Sequence, residues 1–279
     1  MMIFRYLIVG ISRIFFNLIN TLPLGIQMII GHFIGLLCYL LIPKRRKIAF
    51  SNINQCLNEN TISEKKQITK NHFISLGKSL IEMHLVWFGD QKKIYDKQKI
   101  IGLEYLTNSV AEGRGVILLS AHFATLEGIF CSLKEHCPKL AAMYRVQKNM
   151  AWNKIMTKGR SRNIDFLFAH TDIKSMIKSL NDNYVVWYAP DQHYAKKRSR
   201  EVNFFGQKVS FNSATEDLVK ITDCVVLTQF SRRLKDGSYE IEIGRPLSRE
   251  NLTQEYVSRL EEYILRAKEQ YYWVHKRFK

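Results

Sequence analysis

A long uncharged stretch, from Ile14 to Pro43, is rich in large apolar residues. Within it, Leu24–Ile42 reaches about 28 Å as a helix at about 1.5 Å per residue, which is close to the thickness of a bilayer's hydrocarbon core. The spacing of Gly31 and Gly35 is typical of helices that pack closely against a neighbour. The pattern predicts a helix that inserts into a membrane or lies at its surface.

A second apolar stretch, Met2–Leu22, competes with the first for the role of membrane anchor. It carries Arg5 and Arg13, and an arginine near the bilayer centre costs about 2.5–3.5 kcal/mol on insertion scales. Hydropathy therefore favours the later stretch. A lysine and arginine cluster comes directly after the uncharged region, and the positive-inside rule then predicts a cytoplasmic position for the rest of the chain. We expect residues 1–42 to form a membrane anchor and interfacial helix, and residues 43–279 to form a cytoplasmic domain.

Beyond the anchor, hydrophobic periodicity indicates alternating helices and strands. Apolar residues at helical spacing predict a short helix within Lys44–Asn60, and Thr61-Ile-Ser-Glu64 matches a capping box that opens a helix ending near Phe88. Short apolar runs then predict strands at Lys99–Ile101, Val116–Ser120, Leu140–Tyr144, Asp165–Phe168, Tyr184–Ala189, Val225–Phe230 and Tyr239–Ile243.

Helical patterns lie between most of these strands, and a last one runs from Thr253 to about Tyr271. This alternation predicts an α/β fold with a mixed, largely parallel sheet flanked by helices. The final two strands are expected to pair as a hairpin through Lys235-Asp-Gly-Ser238. Neither of the glycine-rich loops that bind nucleotide phosphates is present in the sequence.

Charge narrows the choice of partner. The chain has 42 Lys plus Arg against 25 Asp plus Glu, a formal net charge of +17. Such an excess favours nucleic acid, an anionic membrane, a phosphorylated lipid or an acidic carrier protein. Aromatic residues fall mostly in apolar helices and strands, without an RNP-like segment or a recognition-helix pattern. We therefore expect no nucleic acid as partner, and keep a membrane-tethered nucleic-acid-binding protein as the alternative from another class.

The cysteines give no sign of a disulfide framework or a metal site. They are odd in number and form no C-x-x-C pair, which indicates a reducing compartment and small buried side chains. They are Cys38, Cys56, Cys131, Cys137 and Cys224.

The strongest chemical candidate is His122, in the turn after an apolar strand, with Glu127 five positions later. Residues five apart on an ideal helix point about 140° away from each other. The two side chains meet only if His122 lies in the turn and Glu127 one turn into the following helix. A histidine then accepts a proton from a hydroxyl, and a carboxylate on its other nitrogen orients the ring. The alternative is a histidine packed at a strand end beside a solvated glutamate, because this spacing also arises by chance.

Six motifs are spread along the chain. They are S-A-H-F-A-T-L-E around His122, M-Y-R-V-Q-K-N at Met143–Asn149, K-G-R-S-R at Lys158–Arg162, W-Y-A-P-D-Q at Trp187–Gln192, N-F-F-G at Asn203–Gly206 and Y-Y-W-V-H-K-R-F-K at Tyr271–Lys279. Together they resemble the late acyltransferases of lipid A biosynthesis, the lauroyl and myristoyl transferases of the lysophospholipid acyltransferase superfamily. The likeness spans almost the whole chain.

The resemblance implies an inner-membrane enzyme with a cytoplasmic catalytic domain. Such an enzyme moves a fatty acyl chain from acyl carrier protein, or from coenzyme A, to a hydroxyl of a lipid A precursor of the Kdo2-lipid IVA type. It needs no cofactor beyond that co-substrate and no metal. The resemblance also favours Met2–Leu22 as the anchor and Leu24–Ile42 as a docked helix, which is the reverse of the hydropathy argument, so both assignments stay open.

By the same resemblance, His122 is the general base and Glu127 its orienting partner. Arg160 would bind substrate or transition-state charge, and Asp191 would support the wall of the site. Arg145 and Arg162 belong with Arg160 to a cationic stretch suited to phosphate groups, the alternative being a solvated helix face.

One departure from the family pattern widens the choice of acceptor. After His122 this chain reads F-A-T-L-E, where many relatives have G-N-W followed by an acidic residue. An acyltransferase that acts on another amino- or glycolipid therefore stays open as an alternative.

Overall fold

The computed structural model describes residues 18–192, 199–276 and 278. Most of the competing anchor Met2–Leu22 lies outside these residues. The helices, numbered in chain order, are α1 (Leu24–Leu41), α2 (Pro43–Cys56), α3 (Ile62–Phe88), α4 (Lys92–Tyr95), α5 (Leu103–Ala111), α6 (Phe130–His136), α7 (Met150–Arg160), α8 (Ile173–Asn181), α9 (Ala214–Thr222) and α10 (Leu252–Arg266). The strands are β1 (Gln98–Ile101), β2 (Val116–Leu119), β3 (Leu140–Tyr144), β4 (Phe166–Ala169), β5 (Val185–Tyr188), β6 (Ser199–Phe204), β7 (Gln207–Asn212), β8 (Val225–Arg233) and β9 (Tyr239–Pro246).

A seven-stranded sheet forms the centre of the fold, in the order β1-β9-β8-β2-β5-β3-β4. The strands from β8 to β4 are parallel to one another, while β9 pairs antiparallel with β8 and β1 pairs parallel with β9. This confirms the mixed, largely parallel sheet flanked by helices. The β8–β9 hairpin is confirmed too, and Gly237 in its turn has a φ of 82°, which a glycine adopts without strain.

Both faces of the central sheet are covered, because its inner strands are apolar at successive positions. In β2 all residues are buried: Ile117 and Leu119 face a core built with α8 and α10, whereas Val116 and Leu118 face a second core built with α5 and α6. Continuous apolar runs of this kind are typical of parallel strands that are sandwiched between helices.

The start of α3 matches the predicted capping box. The Thr61 hydroxyl accepts from the Glu64 backbone N–H at 3.3 Å, and the Glu64 carboxylate accepts from the Thr61 backbone N–H at 2.7 Å. At the other end of the chain, α10 stops at Arg266 rather than near Tyr271. The chain leaves the helix there because residues 270–272 bond to the loop after β2, where Ala124 donates its N–H to the Gln270 carbonyl at 2.8 Å.

The β6–β7 hairpin was not predicted. Polar and charged residues outnumber apolar ones along β6, and the buried Val202 and Phe204 alternate with exposed neighbours. Phe205 and Gly206 join the two strands with φ values of 50° and 74°, the pair of left-handed conformations found in a type I′ hairpin turn. The hairpin buries Phe204 and Phe211 against α10 and forms a sheet of its own.

Helix α1 packs closely along α3 at Gly31 and Gly35. Its buried positions are Gln27, Gly31 and Gly35, each four residues after the last. A Cβ at Gly35 would lie 2.4 Å from the Phe73 carbonyl oxygen, and one at Gly77 would lie 2.1 Å from the Gly31 carbonyl oxygen. The two backbones therefore approach closely, as the Gly31–Gly35 spacing predicted.

The opposite face of α1 is apolar and exposed, which reverses the usual amphipathic pattern of a globular protein. Its large exposed side chains are Ile26, Ile29, Phe33, Leu37 and Leu40. Among the described residues, α1 is the one helix long and apolar enough to cross a membrane by length and composition.

A buried ion pair, absent from the sequence predictions, ties α3 to the central sheet. Arg233, at the end of β8, donates from Nε and Nη2 to the two carboxylate oxygens of Glu82 on α3, each at 2.6 Å. The Tyr239 hydroxyl donates to the same carboxylate at 2.6 Å. Glu82 is 2% exposed, so the carboxylate needs all three donors to offset its loss of water.

Candidate active site

The site lies at the edge of the sheet where the parallel strands β2 and β5 end. These strands are neighbours, and their last residues, Leu119 and Tyr188, are register partners. His122 comes after β2, and Asp191 after β5, by the same number of residues. The register therefore brings the two side chains together at the carboxyl edge of the sheet, where open α/β folds place their sites.

Both carboxylate oxygens of Asp191 hold His122. The ring Nδ1 lies 2.5 Å from Oδ1, and the backbone N–H of His122 donates to Oδ2 at 3.1 Å. Asp191 is 2% exposed, whereas the His122 side chain is 33% exposed. A buried carboxylate on Nδ1 fixes the tautomer that carries the Nδ1 proton, and so leaves Nε2 as the proton acceptor.

Asp191 also shifts the proton affinity of the ring. Burial opposes the charged imidazolium and by itself lowers the pKa of His122. The negative charge of Asp191 and its hydrogen bond outweigh burial, so the pKa of His122 lies above its ordinary value. Of the other nearby charges, Arg160 lowers this pKa and Glu127 raises it. An imidazolium formed at His122 is therefore stabilised by two carboxylates and opposed by one guanidinium.

The loop that carries His122 is held on several sides. The Tyr272 backbone N–H donates to the His122 carbonyl at 2.9 Å, and the Tyr256 hydroxyl donates to the Ser120 carbonyl at 2.7 Å. The Tyr272 ring lies 6.2 Å from the imidazole, measured between centroids. Within the described part of the chain, no hydrogen bond engages Nε2 of His122, and the side chain as a whole is partly exposed.

Glu127 does not make the contact with His122 Nδ1 that the sequence predicted; Asp191 makes it. Glu127 lies in a short 3-10 helix, Leu126–Ile129. Between the two residues, the buried Phe123 and Thr125 turn inward, and the Thr125 hydroxyl lies 2.8 Å from that of Ser231. Glu127 is thereby directed toward α3 and α7. Its role as the orienting partner of the base stays a prediction that this geometry does not support.

Arg160 is the direct partner of Glu127. Its Nε donates to both carboxylate oxygens at 3.2 and 3.1 Å, and its Nη2 also donates to Oε1. The indole N–H of Trp87, on α3, donates to Oε2 at 2.9 Å. The sequence analysis did not identify Trp87, because an indole near the apolar end of a long helix looks like any other core side chain.

The other two arginines occupy different positions. Arg162 donates from Nη1 to the Gly89 carbonyl at 2.7 Å and to the Val86 carbonyl at 3.4 Å, so it caps the carboxyl end of α3. Arg145 comes directly after β3 and is exposed at the same edge of the sheet as His122. The structure thus brings together His122, Asp191, Glu127 and Arg160, and gives Arg162 a structural contact.

Comparisons with known proteins bear on what this site does. A family model described as bacterial lipid A biosynthesis acyltransferase matches residues 1–279. The chain is 30% identical over 268 residues to a lipid A biosynthesis palmitoleoyltransferase of Escherichia coli K12, covering 92% of this chain and 86% of that protein. It is also 30% identical over 270 residues to a lipid A biosynthesis lauroyltransferase of the same organism, covering 94% and 88%. A myristoyltransferase of that strain is 25% identical over 186 residues, covering 66% and 58%.

The chain belongs to the bacterial lipid A biosynthesis acyltransferase family. It is therefore an O-acyltransferase of lipid A biosynthesis, and the resemblance seen in the sequence is confirmed. Family membership therefore favours an enzyme over a membrane-tethered nucleic-acid-binding protein.

Two cysteines of this acyltransferase, Cys131 and Cys137, are buried. Burial raises the pKa of Cys131 to about 11 and that of Cys137 to about 12, so both thiols stay neutral. Across the described ranges, no group of three or more histidine, cysteine, aspartate and glutamate side chains is placed to hold a metal ion.

Proposed function

We propose that this acyltransferase moves a fatty acyl chain from a thioester to a hydroxyl of a lipid A precursor of the Kdo2-lipid IVA type, with His122 as general base and Asp191 as its orienting partner. The thioester is carried by acyl carrier protein or, alternatively, by coenzyme A. The observation that supports this assignment most directly is the pairing of a buried carboxylate with Nδ1 of a partly exposed imidazole.

The proposed reaction is a direct transfer. Nε2 of neutral His122 accepts the proton of the acceptor hydroxyl while the oxygen attacks the thioester carbonyl carbon. A carbon–oxygen bond forms, the carbon–sulfur bond breaks, and the thiol leaves with the proton from the imidazolium. The negative charge of Asp191 stabilises that imidazolium and so favours the step in which His122 takes up the proton.

Arg160 is the candidate for stabilising negative charge, on the tetrahedral intermediate or on a substrate phosphate. Its bonds to Glu127 hold the planar guanidinium in one orientation, and its side chain is 14% exposed. The guanidinium has five N–H donors, and Glu127 occupies only those on Nε and Nη2. Among the described residues, no hydrogen bond engages Nη1 of Arg160, and we propose that its two N–H groups donate to the substrate.

The acyl carrier protein is proposed to approach over a basic surface formed by α7 and the segment before it. The exposed cations of this surface are Arg145, Lys148, Lys154 and Lys158. None of them forms an ion pair with another described residue, and the sequence from Cys137 to Ile164 contains no acidic residue. A surface of one sign of charge steers an acidic partner toward the site.

Attachment to the inner membrane, with the catalytic domain on the cytoplasmic side, is the proposed location. The exposed apolar face of α1 supports attachment to a bilayer, and the basic cluster Lys44–Lys47 at the start of α2 supports contact with anionic headgroups. A membrane-bound enzyme meets a lipid acceptor in the plane of the bilayer, so the acceptor does not have to leave it.

The segment F-A-T-L-E after His122, which departs from the family pattern, does not favour a different acceptor. Phe123, Ala124 and Thr125 are all buried, and Phe123 packs against Phe230 and Tyr263. These side chains therefore shape the core below the loop rather than the surface that an acceptor would contact. A lipid A precursor stays the proposed acceptor, ahead of another amino- or glycolipid.

The test incubates the purified full-length enzyme with a tetra-acylated lipid A precursor and, in separate reactions, an acyl-acyl carrier protein or an acyl-coenzyme A, and measures the lipid by mass spectrometry. We expect a mass gain of one acyl chain, and a loss of about a hundredfold or more in turnover for His122→Ala. His136→Ala, on α6, is the matched control and should keep normal turnover. Absence of any mass gain with either thioester donor would contradict the proposed function, and normal turnover of His122→Ala would contradict the assigned base.

A further inference from the structure

Trp87 contacts Glu127, one member of the ion pair beside the base, and also the helix turn that carries the other member, Arg160. Its side chain is 4% exposed near the end of α3, and its indole N–H donates to Glu127 Oε2 at 2.9 Å. An indole nitrogen only donates hydrogen bonds, so this contact requires an acceptor and suits a carboxylate. The hydrogen bond joins α3 directly to the turn that comes after the His122 loop.

The same indole lies against the backbone of α7 at Gly159, the residue before Arg160. A Cβ at Gly159 would lie 2.4 Å from Cγ and 2.6 Å from Cδ2 of Trp87. The absence of a side chain at Gly159 is therefore what lets the ring reach the helix. Trp87 thus sets the distance between α3 and the last turn of α7, from which the Arg160 side chain extends.

The hydrogen bonds from Trp87 and from Arg160 together fix the orientation of the Glu127 carboxylate. Among the described residues, Oε1 of Glu127 accepts only from Arg160, whereas Oε2 accepts from both Arg160 Nε and Trp87. With the indole bond present, rotation of the Glu127 carboxylate breaks a hydrogen bond to a charged group, which is stronger than one between neutral groups. Without it, the carboxylate moves with the flexible arginine side chain alone.

We infer that Trp87 is a positioning residue for the acyl transfer: it holds the Glu127–Arg160 pair in place beside His122. This inference rests on the proposed function, and on the first of the two roles proposed there for Arg160, the stabilisation of negative charge on the tetrahedral intermediate. Trp87 itself does not touch the substrate in this scheme. Its loss misplaces Arg160 in the transition state, while the binding of both substrates is largely kept.

Trp87→Phe tests the hydrogen bond, because it keeps an aromatic ring against Gly159 and removes the donor. We expect kcat to fall about tenfold, with KM for each substrate changed less than about twofold. Trp152→Phe is the matched control. The Trp152 ring lies 5.9 Å from that of Trp87, but it is 38% exposed and has no hydrogen bond to Glu127. It should leave kcat within about twofold of the normal value.

A double-mutant cycle separates positioning from simple packing. In a Glu127→Gln background the charged acceptor is gone, so adding Trp87→Phe should lower kcat by less than about twofold. An equal tenfold loss in both backgrounds would show that Trp87 acts through packing alone and would overturn the inference. An unchanged kcat for Trp87→Phe in the otherwise normal enzyme would overturn it as well.

A readout without substrate keeps this inference distinct from the proposed function. The spectrum of ¹⁵N-labelled full-length enzyme in detergent shows the indole N–H resonances, and the variants Trp87→Phe and Trp152→Phe assign them, because each variant removes one resonance. In Glu127→Gln, the Trp87 resonance should move and the Trp152 resonance should stay in place. If the Trp87 resonance moves but no acyl chain is transferred, the proposed function fails and the contact stands. If transfer is normal and the resonance does not move, the positioning role fails alone.

Discussion

Replacement of Asp191 by asparagine tests the central pair of the site, because it removes the negative charge and keeps the size of the side chain. In the folded enzyme, burial lowers the pKa of His122, and the Asp191 carboxylate raises it by more. Without that charge, burial remains and the pKa of His122 falls. The base is active only when neutral, so the acid limb of the pH–rate profile must move to lower pH.

The size of the shift can be worked out from the contact. A hydrogen bond to a charged group contributes about 1.5–3 kcal/mol, and one pKa unit corresponds to about 1.36 kcal/mol. The His122 side chain is 33% exposed, and water screens part of the interaction, which favours the lower end of that range. We expect the acid limb of kcat/KM to move down by about one pH unit. Turnover on the plateau should also fall about a hundredfold, because the amide holds the imidazolium less well.

The assay measures kcat/KM for acyl transfer between about pH 5 and pH 9 in the normal enzyme, in Asp191→Asn and in Asp165→Asn. Asp165 is the matched control, since it pairs with Lys134 and does not contact His122. Its variant should show the normal pH profile. An acid limb of Asp191→Asn that stays in place, or that moves to higher pH, would refute the reasoning.

Three further predictions concern the packing and the surface charge. Gly77→Ala should destabilise the protein and loosen α1, because its Cβ would lie 2.1 Å from a backbone oxygen of α1. Gly25→Ala is the control and should have no such effect, because no atom lies within 4 Å of its Cβ. Thermal unfolding and limited proteolysis in detergent compare the two variants, and equal melting temperatures would contradict the close packing. Glu82→Ala should cost about 3–5 kcal/mol in unfolding free energy, since it leaves Arg233 buried without its carboxylate, and a loss below about 1 kcal/mol in denaturant titration would show that the pair is not buried in solution. Lys158→Glu should raise KM for acyl-acyl carrier protein several-fold and leave KM for acyl-coenzyme A nearly unchanged, and an equal rise for both donors would argue against a protein-docking surface.

Elements that depend on neighbouring residues were predictable from the sequence. The capping box at Thr61 starts α3 because the groups that satisfy each other lie three residues apart. The turn at Gly237 closes the β8–β9 hairpin for a similar local reason. The Gly31–Gly35 spacing identified the close face of α1, although it did not identify α3 as the partner. Residues within a few positions of one another were enough to predict each of these three features.

The β6–β7 hairpin shows where local reasoning was insufficient. Val202 and Phe204 carry the alternation of a half-buried strand, but charged residues surround them, and a short run of this kind is also typical of a loop. Its strand structure depends on α10, against which Phe204 and Phe211 are buried. A strand that is stabilised by a distant helix leaves only a weak pattern in its own sequence.

The sequence by itself determined the class of the fold, the apolar helix, the histidine in the turn after β2 and the set of charged residues from which the site is drawn. The tertiary structure decided how those charges pair. Glu127 is near His122 along the chain, yet Asp191 bonds to it, because β2 and β5 are hydrogen-bonded neighbours in register. Glu127 turns instead to Arg160 and Trp87. Strand order and register are properties of the whole sheet, so no spacing within a single motif could assign the partner of the base.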